Sequence, residues 1–193
     1  MGVTDMAPRT VDYINKLISI VTRRTKLADQ IFRQGDWAFI QLGNYTEAAP
    51  LSILQGASAK ITFQESDISF AAGEGLVVNY DHTNQLFMPT QVDDLFMVTI
   101  RFKAKSSAQN GSGEVVINSP GVIFNPIVGL SFGIPKAAGV EQFETLNTQL
   151  FIGQDLVDNG LEVVAKAITG DLSIYDVSFT ISRLSSGWRA DFV

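Results

Sequence analysis

The chain is poor in the residues from which many catalytic and metal sites are built. Its 193 residues include no cysteine, which excludes disulfides and cysteine–metal sites and fits assembly in a reducing cytosol. The single histidine, His82, excludes any mechanism that needs two. No apolar run reaches the roughly 18 residues of a membrane-spanning helix, so we predict no membrane insertion. Charged residues make up 18% against a usual value of about 25%. Such a low charge favours burial of surface by oligomerisation.

The residues that remain do not form a recognisable catalytic or ligand motif. The Walker A, Gly-x-Gly-x-x-Gly and Gly-x-Ser-x-Gly patterns are all absent. Glu141 and Glu144 are three apart in a strand-like segment, which would place them on opposite faces. Asp155, Asp158 and Asn159 are expected in one hairpin turn, where an ordinary turn is favoured over a calcium site. We therefore predict no catalytic residue, no metal, no cofactor and no enzymatic activity.

Charge divides the chain into two parts. Residues 1–35 hold six basic and three acidic residues, a net charge of +3, whereas residues 36–193 hold eight basic and seventeen acidic, a net charge of -9. The whole chain has a net charge of -6, which argues against nucleic acid as a partner because phosphate binding needs clustered lysine and arginine. We predict an N-terminal helical segment for anchoring or oligomerisation over 1–35 and a separate β-domain over 36–193.

The N-terminal segment has the pattern of one amphipathic helix from Thr10 to Gln34. Thr10 is a suitable N-cap and Gly35 a suitable stop, and the apolar residues recur at spacings of three and four. The residues expected to form the helix interface are Val11, Ile14, Leu17, Ile18, Val21, Ala28, Ile31 and Phe32. Two interpretations remain open, because the helix can pack on its own β-domain or be buried by other subunits.

From Asp36 onward the hydrophobic period changes to two, which is typical of strands. The clearest strands are Phe96–Lys105 and Tyr175–Ile181; in the second, Tyr175, Val177, Phe179 and Ile181 are expected to face inward. Further strands are expected at Trp37–Leu42, Ala59–Gln64, Leu76–Tyr80, Gln85–Met88, Glu114–Asn118, Val128–Phe132, Gln142–Phe151 and Leu161–Ile168. This many short strands without a helical stretch predict a mainly β fold, an antiparallel jelly-roll β-sandwich preceded by the one helix.

The two tryptophans are the candidates for sugar-binding aromatics. Trp37 begins the first predicted strand and is expected in the core. Trp188 and Phe192 lie in the C-terminal tail after the last predicted strand. That tail has three open interpretations: it packs on its own sheet, docks on a neighbouring subunit, or contacts a ligand.

This layout resembles virion structural proteins of tailed bacteriophages. The resemblance rests on the helical segment from Thr10 to Trp37 and on the β-domain runs Leu95–Lys105 and Val140–Leu184. These runs look like the trimeric jelly rolls, of tumour-necrosis-factor or C1q type, found in capsid fibres, decoration proteins and tail fibres. The resemblance implies a non-enzymatic virion component, a decoration, fibre or adaptor protein assembled in the bacterial cytoplasm.

The resemblance also implies a division of labour between the two parts. The β-domain would form a homotrimer in which one sheet packs around the threefold axis and buries aromatic residues. The helix would attach the trimer to other virion proteins of the capsid or tail. Its basic residues, expected to face the particle, are Lys16, Arg23, Lys26 and Arg33. The alternative is a carbohydrate-binding jelly-roll module that adsorbs to host-surface glycans.

Overall fold

The computed structural model describes residues 17–22, 37–72, 80–122, 126–135 and 137–185. Residues 17–22 form a helix, α1, within the predicted Thr10–Gln34 stretch, and all of its side chains are exposed. This confirms an N-terminal helix, and the described part of it is short. The other predicted helix residues lie outside the described residues, namely Val11, Ile14, Ala28, Ile31, Phe32, Lys16, Arg23, Lys26 and Arg33.

Twelve strands and a second short helix follow in the rest of the described chain. The strands are β1 Trp37–Gln41, β2 Leu51–Ile53, β3 Ser58–Lys60, β4 Ile68–Ala72, β5 Tyr80–Asp81, β6 Leu86–Phe87, β7 Leu95–Ser106, β8 Gly111–Asn118, β9 Val128–Ile134, β10 Gln142–Phe151, β11 Glu162–Thr169 and β12 Leu172–Ser185. The helix α2, Gln154–Asn159, lies between β10 and β11. The long strands match the period-two runs of the sequence, which confirms the mainly β prediction.

The strands form two antiparallel sheets and a small hairpin. The larger sheet has the order β10-β7-β12-β1-β4, with β2 also paired to β12, and the smaller has the order β3-β11-β8-β9. The hairpin is formed by β5 and β6. The chain changes sheet between β7 and β8, between β9 and β10, and on both sides of β11. Since most neighbours in each sheet are therefore distant in sequence, the architecture is the predicted jelly-roll β-sandwich.

The core lies between the two sheets and is built from alternate residues of the long strands. Ile100, Phe102 and Ala104 of β7 are fully buried, as the alternation predicts. Phe102 meets Phe132 of the smaller sheet edge to face, with ring centroids 5.1 Å apart. At another point Phe63 and Phe179 pack with centroids 5.0 Å apart. These contacts pack the core side of the larger sheet, so the alternate side chains of its strands point to the other face.

Three local predictions are wrong. Trp37 is 41% exposed rather than in the core, because the buried residues of β1 are Ala38 and Ile40 and Trp37 therefore points the other way. Asp155, Asp158 and Asn159 belong to helix α2 instead of a hairpin turn. In that helix the Asp158 carboxylate accepts a hydrogen bond from Gln154.

The third wrong prediction is the inward direction of Tyr175. Asp176 has a left-handed φ of 52°, and the pairing of β12 with β7 shifts register between Tyr175 and Ser178. This bulge adds a residue to β12, so that Ile174 and Val177 both belong to the core. Tyr175 follows Ile174 directly and therefore points to the opposite face, where it is still only 1% exposed.

Two strands, β2 and β4, were not predicted from the sequence. β2 has three residues, which is too short for an alternation to be recognised. The run Ile68–Ala72 of β4 contains no charged residue and follows no clear period. Of the predicted strand Leu76–Tyr80, only Tyr80 is described, and it belongs to β5.

Candidate functional site: the outer face of the larger sheet

The larger sheet has a face that points away from the core, which we call the outer face. Its residues alternate in sequence with the buried ones, and the register aligns them in rows across the sheet. One row is Trp37, Ser182, Met97 and Gln149; the next is Phe39, Thr180, Thr99 and Asn147; the third is Gln41, Ser178, Arg101 and Thr145. Phe143 and Phe151 flank these rows at the two ends of β10.

Aromatic side chains lie exposed at both sides of this face. Phe143 and Phe151, on the edge strand β10, are 60% and 58% exposed, and Trp37 on β1 is 41% exposed. Each of these side chains could gain up to roughly 1.5–3 kcal/mol on full burial. The outer face is therefore suited to contact with another surface.

The centre of the outer face is polar, and Arg101 is the one charged residue in its three rows. Its other polar residues are serines, threonines, an asparagine and glutamines, and the Thr99 hydroxyl donates a hydrogen bond of 2.7 Å to the Asn147 side-chain oxygen. Neutral polar groups are cheaper to remove from water than charged groups. This composition permits burial of the face against a protein or a sugar.

Charge is gathered at one end of the face, in an ionic cluster of Glu47, Lys103, Lys105, Glu141 and Asp176. Lys103 Nζ lies 3.1 Å from Asp176 Oδ2 and 3.6 Å from Glu141 Oε1. Lys105 Nζ lies 2.7 Å from Glu47 Oε1. All of these side chains are at least 30% exposed, so each ion pair is expected to add little to stability.

Tyr175 lies beneath this cluster and joins its two halves. Its hydroxyl donates a hydrogen bond to Glu141 Oε2, and Lys105 Nζ lies 5.4 Å from the centre of its ring. Burial of the ring and this hydrogen bond raise the pKa of Tyr175. The same hydrogen bond, together with Lys103, lowers the pKa of Glu141. The cluster thus fixes the end of the outer face when Glu141 is ionised and Tyr175 is neutral.

Protonation of Glu141 is expected to loosen this end of the sheet. Because its pKa is lowered in the folded chain, its contribution to stability is present at neutral pH and is lost as pH falls below about 4. We expect the melting temperature of Glu141→Gln to fall less than that of the unaltered chain between pH 6 and pH 3. Thermal melts monitored by circular dichroism would measure this. Glu65→Gln, outside the cluster, is the control and should follow the unaltered chain; equal acid dependence for all three would contradict the assignment.

The structure gives partial information on the other predicted residues. Leu17, Ile18 and Val21 of α1 are 43%, 58% and 61% exposed, and their role in a helix interface stays a prediction. Trp188 and Phe192 lie outside the described residues. Phe143 and Phe151 were not predicted as exposed aromatics, although their alternation with Leu146 and Leu150 in β10 carried the signal.

The described residues contain neither a cluster of metal ligands nor a membrane-spanning helix. Within the described ranges, no group of three or more histidine, aspartate or glutamate side chains is arranged to hold a metal ion. His82 Nδ1 lies 3.3 Å from the carbonyl oxygen of Phe63, and its ring packs edge to face on Tyr80. None of the helices in the described part of the chain combines the length and apolarity needed to cross a membrane.

Known proteins that are similar to this chain were found among solved structures alone. No protein-family model and no curated protein sequence matches the chain. Among solved structures it is similar to Eiger TNF from S. frugiperda, with 9% identity and a TM-score of 0.47 over 82% of this chain and 99% of that one. It is also similar to the PRD1 vertex protein P5, with 12% identity and a TM-score of 0.47 over 78% of this chain and 74% of that one. Because both identities are so low, the assignment of the jelly-roll fold rests on the strand order of this chain.

Proposed function

We propose that this chain is a non-enzymatic structural protein of a bacteriophage virion and that it forms a homotrimer through the outer face. The observation that carries the proposal is the combination, on one sheet face, of exposed aromatic residues with a centre that is polar and nearly free of charge. The resemblance noted above associates such a face with packing around a threefold axis. A second copy of the chain is the partner that meets these requirements without any further ligand.

The distribution of the aromatics favours a ring of copies. Phe143 and Phe151 lie on the edge strand β10, whereas Trp37 and Phe39 lie on β1 at the other side of the sheet. The β10 edge of one copy can therefore pack on the β1 and β12 region of the next. Such a contact joins two different surfaces of neighbouring copies. Every copy has both surfaces covered only when the copies close into a ring.

The course of the chain supports an anchoring role for the N-terminal segment. The segment before β1 joins the sandwich at Trp37, and the segment after β12 joins it at Ser185, in neighbouring strands at the same end of the larger sheet. The turns that follow β2, β7 and β11 lie at the opposite end. Both segments are thus attached at one end, and the other end is left to project outward.

The charge division fits attachment to a particle. The N-terminal 35 residues have a net charge of +3 and the remainder a net charge of -9. A basic segment would bind an acidic surface of a capsid or tail protein, and the acidic head would be repelled from that surface. Three basic segments held together in one trimer would bind far more tightly than one, since the second and third binding events are intramolecular.

Mass spectrometry of purified particles tests the virion role. Particles should be prepared by density gradient from lysed cultures of the bacterium in which the gene is expressed, and their protein content quantified. We expect this chain to co-purify with the major capsid protein at a copy number that is a multiple of three. Its presence only in the soluble, particle-free fraction would contradict the proposal.

A second candidate function is carbohydrate binding at the same face. On strand β10 the side chains of Thr145, Asn147 and Gln149 lie between those of Phe143 and Phe151. Together they combine aromatic surfaces with neutral hydrogen-bonding groups, as sugars require. This use needs the face to be free, so it competes with trimer formation. A glycan array probed with the purified chain discriminates between the two. Binding by a monomer that is abolished in Phe143→Ala would favour the sugar, and a trimer without binding would favour assembly.

A further inference from the structure

The outer face carries one cation that the ionic cluster does not use. Arg101, Lys103 and Lys105 alternate on β7 and point to the same side of the sheet. Both lysines have ion-pair partners, but Arg101 is exposed and forms no ion pair with any residue in the described ranges. Its cross-strand neighbours are Thr145 on β10 and Ser178 on β12, which are neutral. An arginine presents five donors in a planar fork suited to a carboxylate.

The cluster has a carboxylate that is only half used. Glu141 accepts at both oxygens, from Tyr175 and from Lys103. Asp176 uses Oδ2 for Lys103, whereas its Oδ1 has no hydrogen bond or ion pair among the described residues. The Asp176 side chain is 51% exposed and belongs to the left-handed bulge of β12. One lysine is thus shared by two carboxylates, which leaves Asp176 able to accept a second cation.

We infer that Arg101 of one copy binds Asp176 of the next copy in the oligomer, an inference that rests on the proposed assembly through the outer face. Both residues lie on that face, and their charges are complementary. Apolar contacts between Phe143, Phe151 and the neighbouring β1 region stabilise the ring but tolerate sliding along the strands. A single ion pair between fixed strand positions sets the register of one copy on the next, which is the role charges commonly have in interfaces.

The test is a double-mutant cycle on the full-length chain. The variants are Arg101→Gln, Asp176→Asn and the two combined; asparagine tolerates the left-handed conformation at position 176. The dissociation constant of the oligomer is measured by sedimentation over a range of concentrations at low and high salt. Lys166→Gln, an exposed cation on β11 of the smaller sheet, is the matched control. The urea unfolding of each variant is measured at a concentration where the oligomer has dissociated.

We expect each single variant to weaken association about tenfold, which corresponds to about 1.4 kcal/mol, and the double variant to be no weaker than either. The effect should shrink at high salt, and Lys166→Gln should associate as the unaltered chain does. If the unaltered chain is oligomeric but the two substitutions have additive effects on the dissociation constant, or none, this inference alone is overturned. If the two substitutions are coupled in the free energy of unfolding of the dissociated chain but not in the dissociation constant, the two residues interact within one chain and the inference is also overturned. A monomeric unaltered chain would overturn the proposed assembly together with this inference.

Discussion

Replacing Phe143 and Phe151 by glutamate is expected to convert the oligomer into a folded monomer. Both rings are more than half exposed in the single chain, so the substitutions remove little of its own packing. In the proposed ring each contact would lose two buried aromatics, at roughly 1.5–3 kcal/mol each, and would have to bury a carboxylate in place of each. We expect association to weaken by more than about 100-fold. Sedimentation velocity measures the assembly state, and circular dichroism checks that the fold is kept.

Two matched substitutions control for the addition of charge. Leu54 is 71% exposed in the turn after β2, and Ile168 is 45% exposed on the smaller sheet. Glutamate at both positions together adds the same two charges as the phenylalanine variant, at exposed apolar sites away from the outer face. We expect this control to remain oligomeric. If it dissociates as readily as the phenylalanine variant, the effect belongs to net charge and not to the outer face.

Removing the Asp94 carboxylate is expected to cause the largest loss of stability among single charge changes. Arg183 Nε lies 3.2 Å from Asp94 Oδ2, and the two side chains are only 4% and 2% exposed. The Arg183 guanidinium also lies 5.7 Å from the ring of Phe96. Asp94→Ala leaves a buried cation without its carboxylate, for which a cost of about 3–5 kcal/mol is typical. Urea unfolding at one fixed protein concentration measures the change in the free energy of unfolding.

The double variant Asp94→Leu with Arg183→Met separates burial from pairing. With both charges gone, no uncompensated charge remains, so much of the lost stability should return. Glu47→Ala breaks the exposed pair with Lys105 and serves as the comparison, with a much smaller expected loss because water screens that pair. A loss of that small size for Asp94→Ala would show that the buried pair does not stabilise the chain.

Much of the fold could be predicted from the sequence because its strands are long and regular. β7 alternates over Phe96–Lys105 and β10 over Gln142–Phe151, and a period of two sustained over runs of this length is typical of strands and not of helices. The Asn110-Gly111 pair is a turn signal in the sequence, and Asn110 has the left-handed φ of 55° that such a turn requires. The jelly-roll class followed from the number of strands and the absence of crossover helices.

The details of the outer face could not be predicted, for physical reasons. The alternation of side chains along a strand shows which residues share a face but not which of the two faces packs on the core. For this reason the sequence predicts Trp37 on the wrong face of β1. A bulge reverses the alternation within a strand, and only the register shift after Tyr175 reveals it. The ionic cluster joins Glu47, Lys103 and Asp176, which are far apart in sequence, so no local pattern announces it. The Asp94–Arg183 pair is hidden for the same reason.

The mass of the full-length protein in solution tests the central claim most directly. Light scattering behind a sizing column gives that mass without an assumption about shape. We expect three times the chain mass of 21.0 kDa, and the same threefold ratio for a chain that starts at Gly35. A ratio that falls to one without the N-terminal segment would move assembly from the outer face to the helix. A monomer in both cases would contradict the trimer and favour the sugar-binding alternative.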